Sequence, residues 1–375
     1  MSIRQTETHV MTMMRRAIEL AVLGRGNVSP NPLVGCVITD GSQIIGEGYH
    51  QKYGEAHAEA NAIDDCLKKG FSPKGATVYV TLEPCAHFGK RSPCADLLIE
   101  QKIARCVIAV TDPYKEVNGK GIAKLRDAGI EVTLGVLEAE AREMNKFFLT
   151  SIETGLPYVA LKIASSLDGK VALKSGVSKY ITSEASRREV HELRAGFDSV
   201  LVASATVLAD DPELTVRLCD GRSPKRIILD ASLRVPESAR VYSDSHRAST
   251  IIISNESAIK DKRQKVQELE SRGITIIGFK SSTEQLDLKS VFRELCTRGI
   301  TSILVEPGPT LATTIYQNGL FNEVLLFLAP IILGDDARSA FGELHIRSLS
   351  SAGQLRLAEC RRVEGSDDIF LSYRK

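Results

Sequence analysis

The chain has 375 residues, 43% of them hydrophobic and 25% charged, and its 48 basic and 47 acidic residues leave a formal net charge of +1. A chain of this length is too long for one comfortable hydrophobic core, so we expect two domains of an ordinary soluble, globular protein. The balanced charge, without a long basic run, argues against a nucleic acid as partner.

The N-terminal segment predicts an amphipathic helix and not an export signal. Arg15 and Arg16 precede "AIELAVLG", which Glu19 interrupts and which no small-residue cleavage site follows. The longest apolar run, "VLLFLAPIIL" at 324–333, is about half a membrane span and contains Pro330, so it predicts a buried strand. Eight scattered cysteines indicate reduced thiols, and we expect a cytoplasmic protein without a membrane partner.

The first part of the chain alternates between strand and helix patterns. Strands are predicted at "LVGCVIT", "ATVYVTL", "RCVIAVT" and "IEVTLG", and helices between them at "AEANAIDDCLKKG", "CADLLIEQK" and "GIAKLRDAG". This alternation predicts a sheet with helices on its faces. A helical stretch, "LEAEAREMNKFFLTSIETG", leads to the turn signal Gly155-Leu156-Pro157, so we place two domains at 1–150 and 151–375.

The second part alternates again and predicts a different α/β domain. Its strand patterns are "YVALKIASS", "SVLVAS", "KRIILD", "TIIIS", "ITIIGF", "SILVE" and "EVLLFLAP". Helices are predicted at "SEASRREVHELRA", "LKSVFRELCTRG" and "GPTLATTIYQNG", and no repeat links the two halves.

Four side chains of the first part have the chemistry of a metal site. His57 and Glu59 lie in "EAHAEANAIDDC", and Cys85 and Cys94 lie in "LEPCAHFGKRSPC". Catalytic zinc takes three protein ligands of this kind and keeps one position open for water. We expect the ligands where two helices begin, after "GE" and after Glu83-Pro84, because helix dipoles favour thiolates there.

This constellation indicates hydrolytic deamination of an electron-poor ring. Zinc brings the pKa of bound water to about 7, and Glu59 would carry a proton from this water to the departing ammonia. The His-x-Glu and Pro-Cys elements match the zinc nucleobase deaminases, although eight residues separate the cysteines here where two are usual. His87 is an alternative ligand, but we favour substrate contact for His87, Lys90 and Arg91.

Longer motifs resemble a known family nearly end to end. "NPLVGCVI", "GEGYHQKYGEAHAEANA", "YVTLEPCAHFGKRSPC" and "SLDGKVA…SKYITS…SATVLADDPELTVR…VEPGPTLA" resemble the bifunctional riboflavin-biosynthesis deaminase-reductases. In that family the eight-residue gap is normal. The resemblance implies an N-terminal three-layer domain with the cytidine-deaminase fold and a C-terminal domain similar to dihydrofolate reductase.

The resemblance also implies two consecutive reactions on a small molecule. A diaminopyrimidinone with a phosphoribosylamino group is deaminated to the corresponding uracil, and NADPH then reduces the ribosyl chain to a ribityl chain. It implies one Zn²⁺ per chain, held by His57, Cys85 and Cys94, with Glu59 as proton donor. Asn31 matches a residue that holds the base, although as Asn before Pro it would also suit a turn.

The second part has no dinucleotide fingerprint, and its best phosphate-site candidate is "SILVEPGPTLATTIYQNG". A buried strand ends at Glu306, a Gly-Pro turn follows, and a helix begins near Thr310. Free N–H groups at a helix start bind phosphate, and Gly308 would let the ligand approach, with strain for other residues if its φ is positive. The alternative is an ordinary β-α junction.

By resemblance, the second part holds the cofactor and the substrate. NADP contacts are placed at Ala164, Tyr180, Thr206, Asp210, Ala231, Gly308, Pro309, Thr310, Leu311, Ala312, Thr313 and Thr314. Substrate contacts are placed at Ser178, Arg194, Leu214, Arg217 and Glu306, and the two arginines suit a phosphate. The resemblance implies two departures: Tyr180 stands where some relatives have Trp, a tolerable change for a stacking surface, and Ala231 stands where relatives tend to have Ser, which would remove one hydrogen bond to the cofactor. The proton donor of the reduction is Asp210, Glu306 or water.

Two other functions remain as alternatives to the bifunctional enzyme. A nucleic-acid-editing deaminase would need a basic groove, which the sequence lacks, and would leave the second domain unexplained. A zinc deaminase with a ligand-sensing C-terminal domain, or a sensor built on inactive domains, is the other. An intact proton shuttle argues against a sensor. The sequence is compatible with a homo-oligomer.

Overall fold

The chain was analysed as a computed structural model that describes residues 3–86, 92–280 and 285–375. It divides into two compact units, Met1–Leu156 and Pro157–Lys375. The division falls in the turn that follows the helix Lys146–Thr154. None of the helices in the described ranges is long and apolar enough to cross a membrane.

The first unit is a five-stranded sheet between two layers of helices. Its elements are α1 (Ile3–Val22), β1 (Gly35–Thr39), β2 (Ile44–Tyr49), α2 (Ala58–Lys68), β3 (Thr77–Leu82), α3 (Cys94–Glu100), β4 (Arg105–Val110), α4 (Lys120–Asp127), β5 (Glu131–Leu134), α5 (Glu138–Met144) and α6 (Lys146–Thr154). The strand order is β2-β1-β3-β4-β5, with β1 antiparallel to both neighbours and β3, β4 and β5 parallel.

Alternating strand residues divide the core of this unit between the two faces of the sheet. Cys36 and Ile38 pack with α2, α3 and α4 on one face, whereas Val37 packs with α1 on the other. Because successive side chains of a strand point to opposite faces, a strand covered on both sides is apolar throughout. The three-layer arrangement predicted for this unit is confirmed.

Strand β2 lacks the pattern that revealed its neighbours, because its sequence "IIGEGY" contains two glycines. A Cβ atom on Gly48 would lie 2.3 Å from the backbone N of Ala62 in α2. The glycines therefore allow α2 to approach the sheet closely, and this approach brings the start of α2 to the site described below.

The second unit is built on a nine-stranded sheet. Its elements are β6 (Tyr158–Ser166), β7 (Lys170–Ala172), α7 (Glu184–Gly196), β8 (Ser199–Ala203), α8 (Ser204–Asp210), β9 (Lys225–Leu229), α9 (Arg240–Ser243), β10 (Thr250–Asn255), α10 (Glu256–Asp261), α11 (Arg263–Ser271), β11 (Thr275–Phe279), α12 (Leu288–Thr297), β12 (Ser302–Val305), α13 (Pro309–Gln317), β13 (Glu323–Ala329), β14 (Arg338–Ser339), β15 (Arg356–Arg362) and β16 (Ile369–Arg374). The order is β11-β10-β9-β8-β12-β6-β13-β16-β15, and β7 pairs with β14 separately.

Seven neighbouring strands of this sheet, from β11 to β13, are parallel, and β16 and β15 continue it antiparallel. The carboxyl ends of the parallel strands therefore share one edge. In open α/β sheets ligands bind at this edge, in the crevice that the following loops and helices form.

Candidate active sites

Three ligand atoms of the first unit converge as a zinc site requires. His57 Nδ1 lies 3.3 Å from Cys94 Sγ and 3.6 Å from Cys85 Sγ. All three ligand atoms lie within 4.8 Å of one another, although the residues come from three separate segments. One imidazole and two thiols fit zinc better than a hard cation such as Mg²⁺, which prefers oxygen ligands.

The local structure around the ligands differs in part from the expectation. His57 is the N-cap of α2 and Cys94 is the first residue of α3, but Cys85 lies in the loop after β3. The prediction of a helix start after Glu83-Pro84 is therefore wrong. The backbone N–H of Cys94 donates to Cys85 Sγ at 3.3 Å, so the start of α3 still supports the Cys85 sulfur.

The thiols of Cys85 and Cys94 differ in how readily they ionise. The hydrogen bond from Cys94, with His57 nearby, lowers the pKa of Cys85 to about 4. The same hydrogen bond and burial raise the pKa of Cys94. A thiolate next to an imidazole and a second thiol is a ready ligand set, because zinc binds Cys as thiolate and displaces the remaining proton.

Glu59 lies in the first turn of α2, two residues after His57, and its side chain is buried. Burial and, to a smaller extent, the neighbouring Cys85 sulfur raise the pKa of Glu59 to about 7. A carboxyl group with such a pKa both accepts and releases a proton near neutral pH, as an acid-base catalyst must. Glu59 is not part of the group of converging ligand atoms, which His57, Cys85 and Cys94 form by themselves.

Asn31 is oriented by a histidine that the sequence analysis did not single out. His50 is buried, and its Nδ1 lies 3.0 Å from the Ala56 carbonyl oxygen, which only an N–H can satisfy. Its Nε2, 3.2 Å from Asn31 Nδ2, is then an acceptor in the neutral ring. Burial lowers the pKa of His50, which favours this neutral form. The Asn31 amide thus donates to His50 and turns its oxygen away from that ring.

The ring of His50 also lies edge-on to His57, with 5.6 Å between centroids. This contact brings Asn31 and the metal ligands into one site. Its only signal in the sequence is the position of His50 in "GYHQKYGEAH". The three loop residues expected to contact substrate, His87, Lys90 and Arg91, lie outside the described residues.

In the second unit, the residues expected to bind cofactor follow the carboxyl ends of several strands. Ala164 lies near the end of β6, Thr206 and Asp210 lie in α8 directly after β8, and Ala231 follows β9. Gly308 precedes α13, which follows β12. The fold therefore collects along one edge residues that are up to 144 positions apart, from 164 to 308.

A charged triad lies where β6 and β12 meet this edge. Glu306 accepts from Arg194 Nε at 2.6 Å, and Lys162 Nζ lies 3.3 Å from its other oxygen. Burial opposes ionisation, yet the Arg194 and Lys162 charges hold the pKa of Glu306 well below its usual value. Lys162 is the residue here that sequence reasoning missed, because inside "YVALKIASS" it resembled a solvent-facing strand residue.

Arg194 is already engaged within the protein. Besides Glu306, its Nη1 donates to the carbonyl of Thr215 at 3.1 Å, and the side chain is largely buried. This tie holds the segment 213–217, in which Leu214 is buried with a positive φ of 56°. A bulky residue in the left-handed region is strained and is often kept at ligand sites.

Arg217 differs from Arg194 because its side chain is half-exposed. Its Nη1 lies 3.2 Å from Glu213, and its backbone N–H donates to Nδ1 of the buried His191 at 3.1 Å. The pKa of His191 is lowered to about 4 by burial and by the charges of Arg194 and Arg217. Of the two arginines proposed for phosphate, Arg217 is thus the one that faces solvent.

Gly308 leaves open space in front of α13. It is the N-cap of this helix, with φ −77° and ψ 171°, and a Cβ atom there would meet nothing within 4 Å. The condition for strain at this position, a positive φ, is therefore not met. Pro309 has no N–H, so the first donors that face this space are the backbone N–H groups of Thr310 and Leu311.

The other residues of this segment turn away from the open space or bond within the protein. The side chains of Leu311 and Ala312 are buried. The hydroxyls of Thr313 and Thr314 donate to carbonyls one turn earlier, at 2.8 and 2.9 Å. A ligand would therefore meet the backbone of α13 rather than these four side chains.

Tyr180 presents an exposed aromatic face near the end of α8. The residue is 70% exposed, and the Arg187 guanidinium lies over one face of its ring, 4.1 Å from the centroid. The preceding Lys179 donates from Nζ to the Asp210 carbonyl at 3.4 Å, which brings the loop with Ser178 to Asp210. Such a ring suits stacking on a flat heterocycle.

Ala231 contributes only backbone to this edge. Its carbonyl accepts from Asn255 N and Ser254 Oγ, both at 3.0 Å, so the turn after β9 is held by the end of β10. Its methyl side chain donates no hydrogen bond to a ligand at this edge, whereas the serine expected there from the family resemblance could donate one.

Comparison with known proteins places both units in families. The family model described as "RibD C-terminal domain" matches residues 157–367. The family model described as "Cytidine and deoxycytidylate deaminase zinc-binding region" matches residues 7–110. The riboflavin biosynthesis protein RibD of Aquifex aeolicus is 40% identical over 363 residues, which are 96% of this chain and 97% of that protein. RibD of Escherichia coli is 40% identical over 366 residues, 93% of this chain and 95% of that protein.

Solved structures are similar over the same length. Acinetobacter baumannii RibD has a TM-score of 0.88 at 36% identity and covers 98% of this chain and 99% of its own. A Thermotoga maritima protein, described as a diaminohydroxyphosphoribosylaminopyrimidine deaminase and 5-amino-6-(5-phosphoribosylamino)uracil reductase, has a TM-score of 0.87 with the same identity and coverage. The predicted folds, cytidine-deaminase-like and dihydrofolate-reductase-like, are confirmed. The chain belongs to the RibD family of bifunctional riboflavin-biosynthesis enzymes, which use zinc for a deamination and NADPH for a reduction.

Proposed function

We propose that the first unit is the deaminase domain and the second the reductase domain, and that His57, Cys85 and Cys94 hold the zinc. The substrate is 2,5-diamino-6-(5-phosphoribosylamino)pyrimidin-4-one, a free small molecule and not a nucleic acid. The observation that carries the proposal is the convergence of the three ligand atoms within 4.8 Å, next to the buried Glu59. The near-neutral net charge and the eight free cysteines support a cytoplasmic enzyme of small molecules.

In the deamination, zinc supplies a Lewis acid that makes a water molecule acidic at neutral pH. Glu59 receives a proton at its carboxylate when water adds to the amino-bearing carbon, and it returns a proton to the leaving amino nitrogen. Its pKa of about 7 suits both directions of transfer. Asn31, held by His50, accepts or donates a hydrogen bond at the pyrimidine edge and so orients the ring.

In the reduction, NADPH supplies the hydride and the chain aligns the two reactants. We assign the cofactor phosphates to the space before α13 and the flat nicotinamide end to the neighbourhood of Ala164 and Tyr180. Glu306, kept ionised by Lys162 and Arg194, accepts hydrogen bonds from the sugar hydroxyls, and its lowered pKa makes it unsuited to supply the proton that the reduction requires. Arg217, half-exposed at the edge, is suited to the substrate phosphate.

A single assay tests the proposal. Purified protein is mixed with the aminopyrimidine substrate and NADPH, and ammonia release and NADPH oxidation are followed together. We expect ammonia first and oxidation second, with oxidation starting at once when the deaminated uracil compound is supplied instead. Ammonia release without any NADPH oxidation would favour a deaminase with a ligand-sensing second domain.

A further inference from the structure

Glu83 is a buried carboxylate that the deamination described above does not use. It directly follows β3 and precedes Pro84 and the ligand Cys85, and it is 4% exposed. It makes no ion pair with any residue in the described part of the chain. A buried carboxylate without a cation must be satisfied by hydrogen bonds, so its partners reveal what it does.

Four backbone N–H groups donate to this carboxylate. Its Oε1 accepts from Gly121 at 2.9 Å and from Ile122 at 3.2 Å, and its Oε2 accepts from Gly119 at 3.0 Å and from Asp112 at 3.2 Å. Gly119 is the N-cap of α4 and has no side chain with which to cap it. Glu83 therefore supplies, from 36 residues away, the acceptor that the first turn of α4 lacks.

The contact between α4 and the peptide Glu83-Pro84, which precedes Cys85, is tight. A Cβ atom on Gly121 would lie 2.0 Å from the Pro84 carbonyl oxygen and 3.2 Å from Glu83 Oε1. Only glycine allows the first turn of α4 to come this close to the peptide that leads into Cys85. The backbone on the N-terminal side of Cys85 is thus held by two means, the Glu83 hydrogen bonds and direct packing.

From this geometry we propose that Glu83 is a positioning residue for the zinc site. Cys85 lies in a loop, and unlike His57 and Cys94 it is not placed by a helix of its own. By binding the first turn of α4, Glu83 fixes the segment 83–85 and holds the Cys85 sulfur at its distance from the other two ligands. Ligands must be held to within about 0.5 Å, and supporting residues commonly change metal affinity about 10- to 100-fold. The inference rests on the zinc ligands proposed above.

The test compares zinc affinity in three variants by competition with a chromogenic chelator. We expect Glu83→Gln, whose amide NH₂ opposes backbone N–H donors, to weaken zinc binding at least tenfold. Gly121→Ala displaces the same loop from the side of α4 without changing the carboxylate, and we expect a similar loss. Asp65→Asn is the matched control, because Asp65 accepts a backbone N–H from Glu47 at 2.8 Å, away from the ligands.

Replacing zinc with Co²⁺ adds a spectroscopic measurement that a general loss of protein stability would not change. The ligand-field bands of Co²⁺ report the geometry of its thiolates, so Glu83→Gln should shift or weaken them and Glu83→Asp should restore them in part. Zinc affinity within twofold of the parent in both Glu83→Gln and Gly121→Ala overturns the inference, as does an equal loss in Asp65→Asn. The Cys85→Ser variant tests the ligand set independently of Glu83. Unchanged zinc affinity in this variant would refute Cys85 as a ligand.

Discussion

Replacing Gly308 with valine should silence the reduction and leave the deamination intact. The backbone at Gly308 is extended, with φ −77° and ψ 171°, so valine can adopt it without strain. A Cβ atom would meet nothing within 4 Å, so the side chain enters open space and not the core. We therefore expect a folded protein, destabilised by at most about 1 kcal/mol for the poorer N-cap.

The loss of NADPH affinity follows from what the valine would cover. The N–H groups of Thr310 and Leu311 are the first donors of α13, because Pro309 has none. A hydrogen bond to a charged group contributes about 1.5–3 kcal/mol, so losing one of these contacts would raise Kd by roughly 10- to 150-fold. The smaller Gly308→Ala change should fall between the parent and valine.

The measurement is a fluorescence titration with NADPH, with an ammonia assay and a thermal unfolding curve on the same preparation. Thermal unfolding distinguishes a ligand effect from a folding defect. An unchanged Kd in a folded Gly308→Val protein would refute the reasoning, since α13 would then be scaffold and the nucleotide would bind elsewhere on the edge.

Three further predictions concern single side chains. Glu59→Gln should keep one zinc per chain but lose deamination, while still oxidising NADPH with the deaminated compound; loss of zinc, measured by metal analysis, would place Glu59 among the ligands. Because Glu306 has a lowered pKa when folded, its stabilisation is present above about pH 4.3 and declines as the pH falls. Glu306→Gln should therefore cost about 3 kcal/mol at pH 7 and flatten this acid dependence in denaturant unfolding, and an unaltered pH profile would contradict the charged triad. Tyr180→Ala should weaken NADPH binding by about 1 kcal/mol, roughly fivefold, with Tyr180→Phe as control. Equal Kd values for the two would argue against stacking.

Most helices and strands of this protein, and its candidate zinc ligands, could be predicted from the sequence because the patterns that indicate them are local. Each predicted strand and helix carries its own periodicity, and β-strands buried on both faces read as apolar runs. The proposed zinc ligands could be found from the sequence for the same reason, since His57 lies two residues before Glu59 and each of Cys85 and Cys94 follows a proline. Strand β2 was not predicted because two of its six residues are glycines, which weaken the strand pattern. The glycines are required by the close approach of α2, and this packing cannot be read from the strand itself.

Only the tertiary structure decided which distant groups meet and what each is bonded to. Arg194 and Glu306 are 112 residues apart, and nothing near either one in the sequence shows that they form an ion pair, or that Lys162 also pairs with Glu306. Glu83 looks like any acidic residue after a strand until the fold brings the first turn of α4 to its carboxylate. The physical reason is that a buried polar group must find its partner in space, and the partner's distance along the chain is set by topology and not by local pattern.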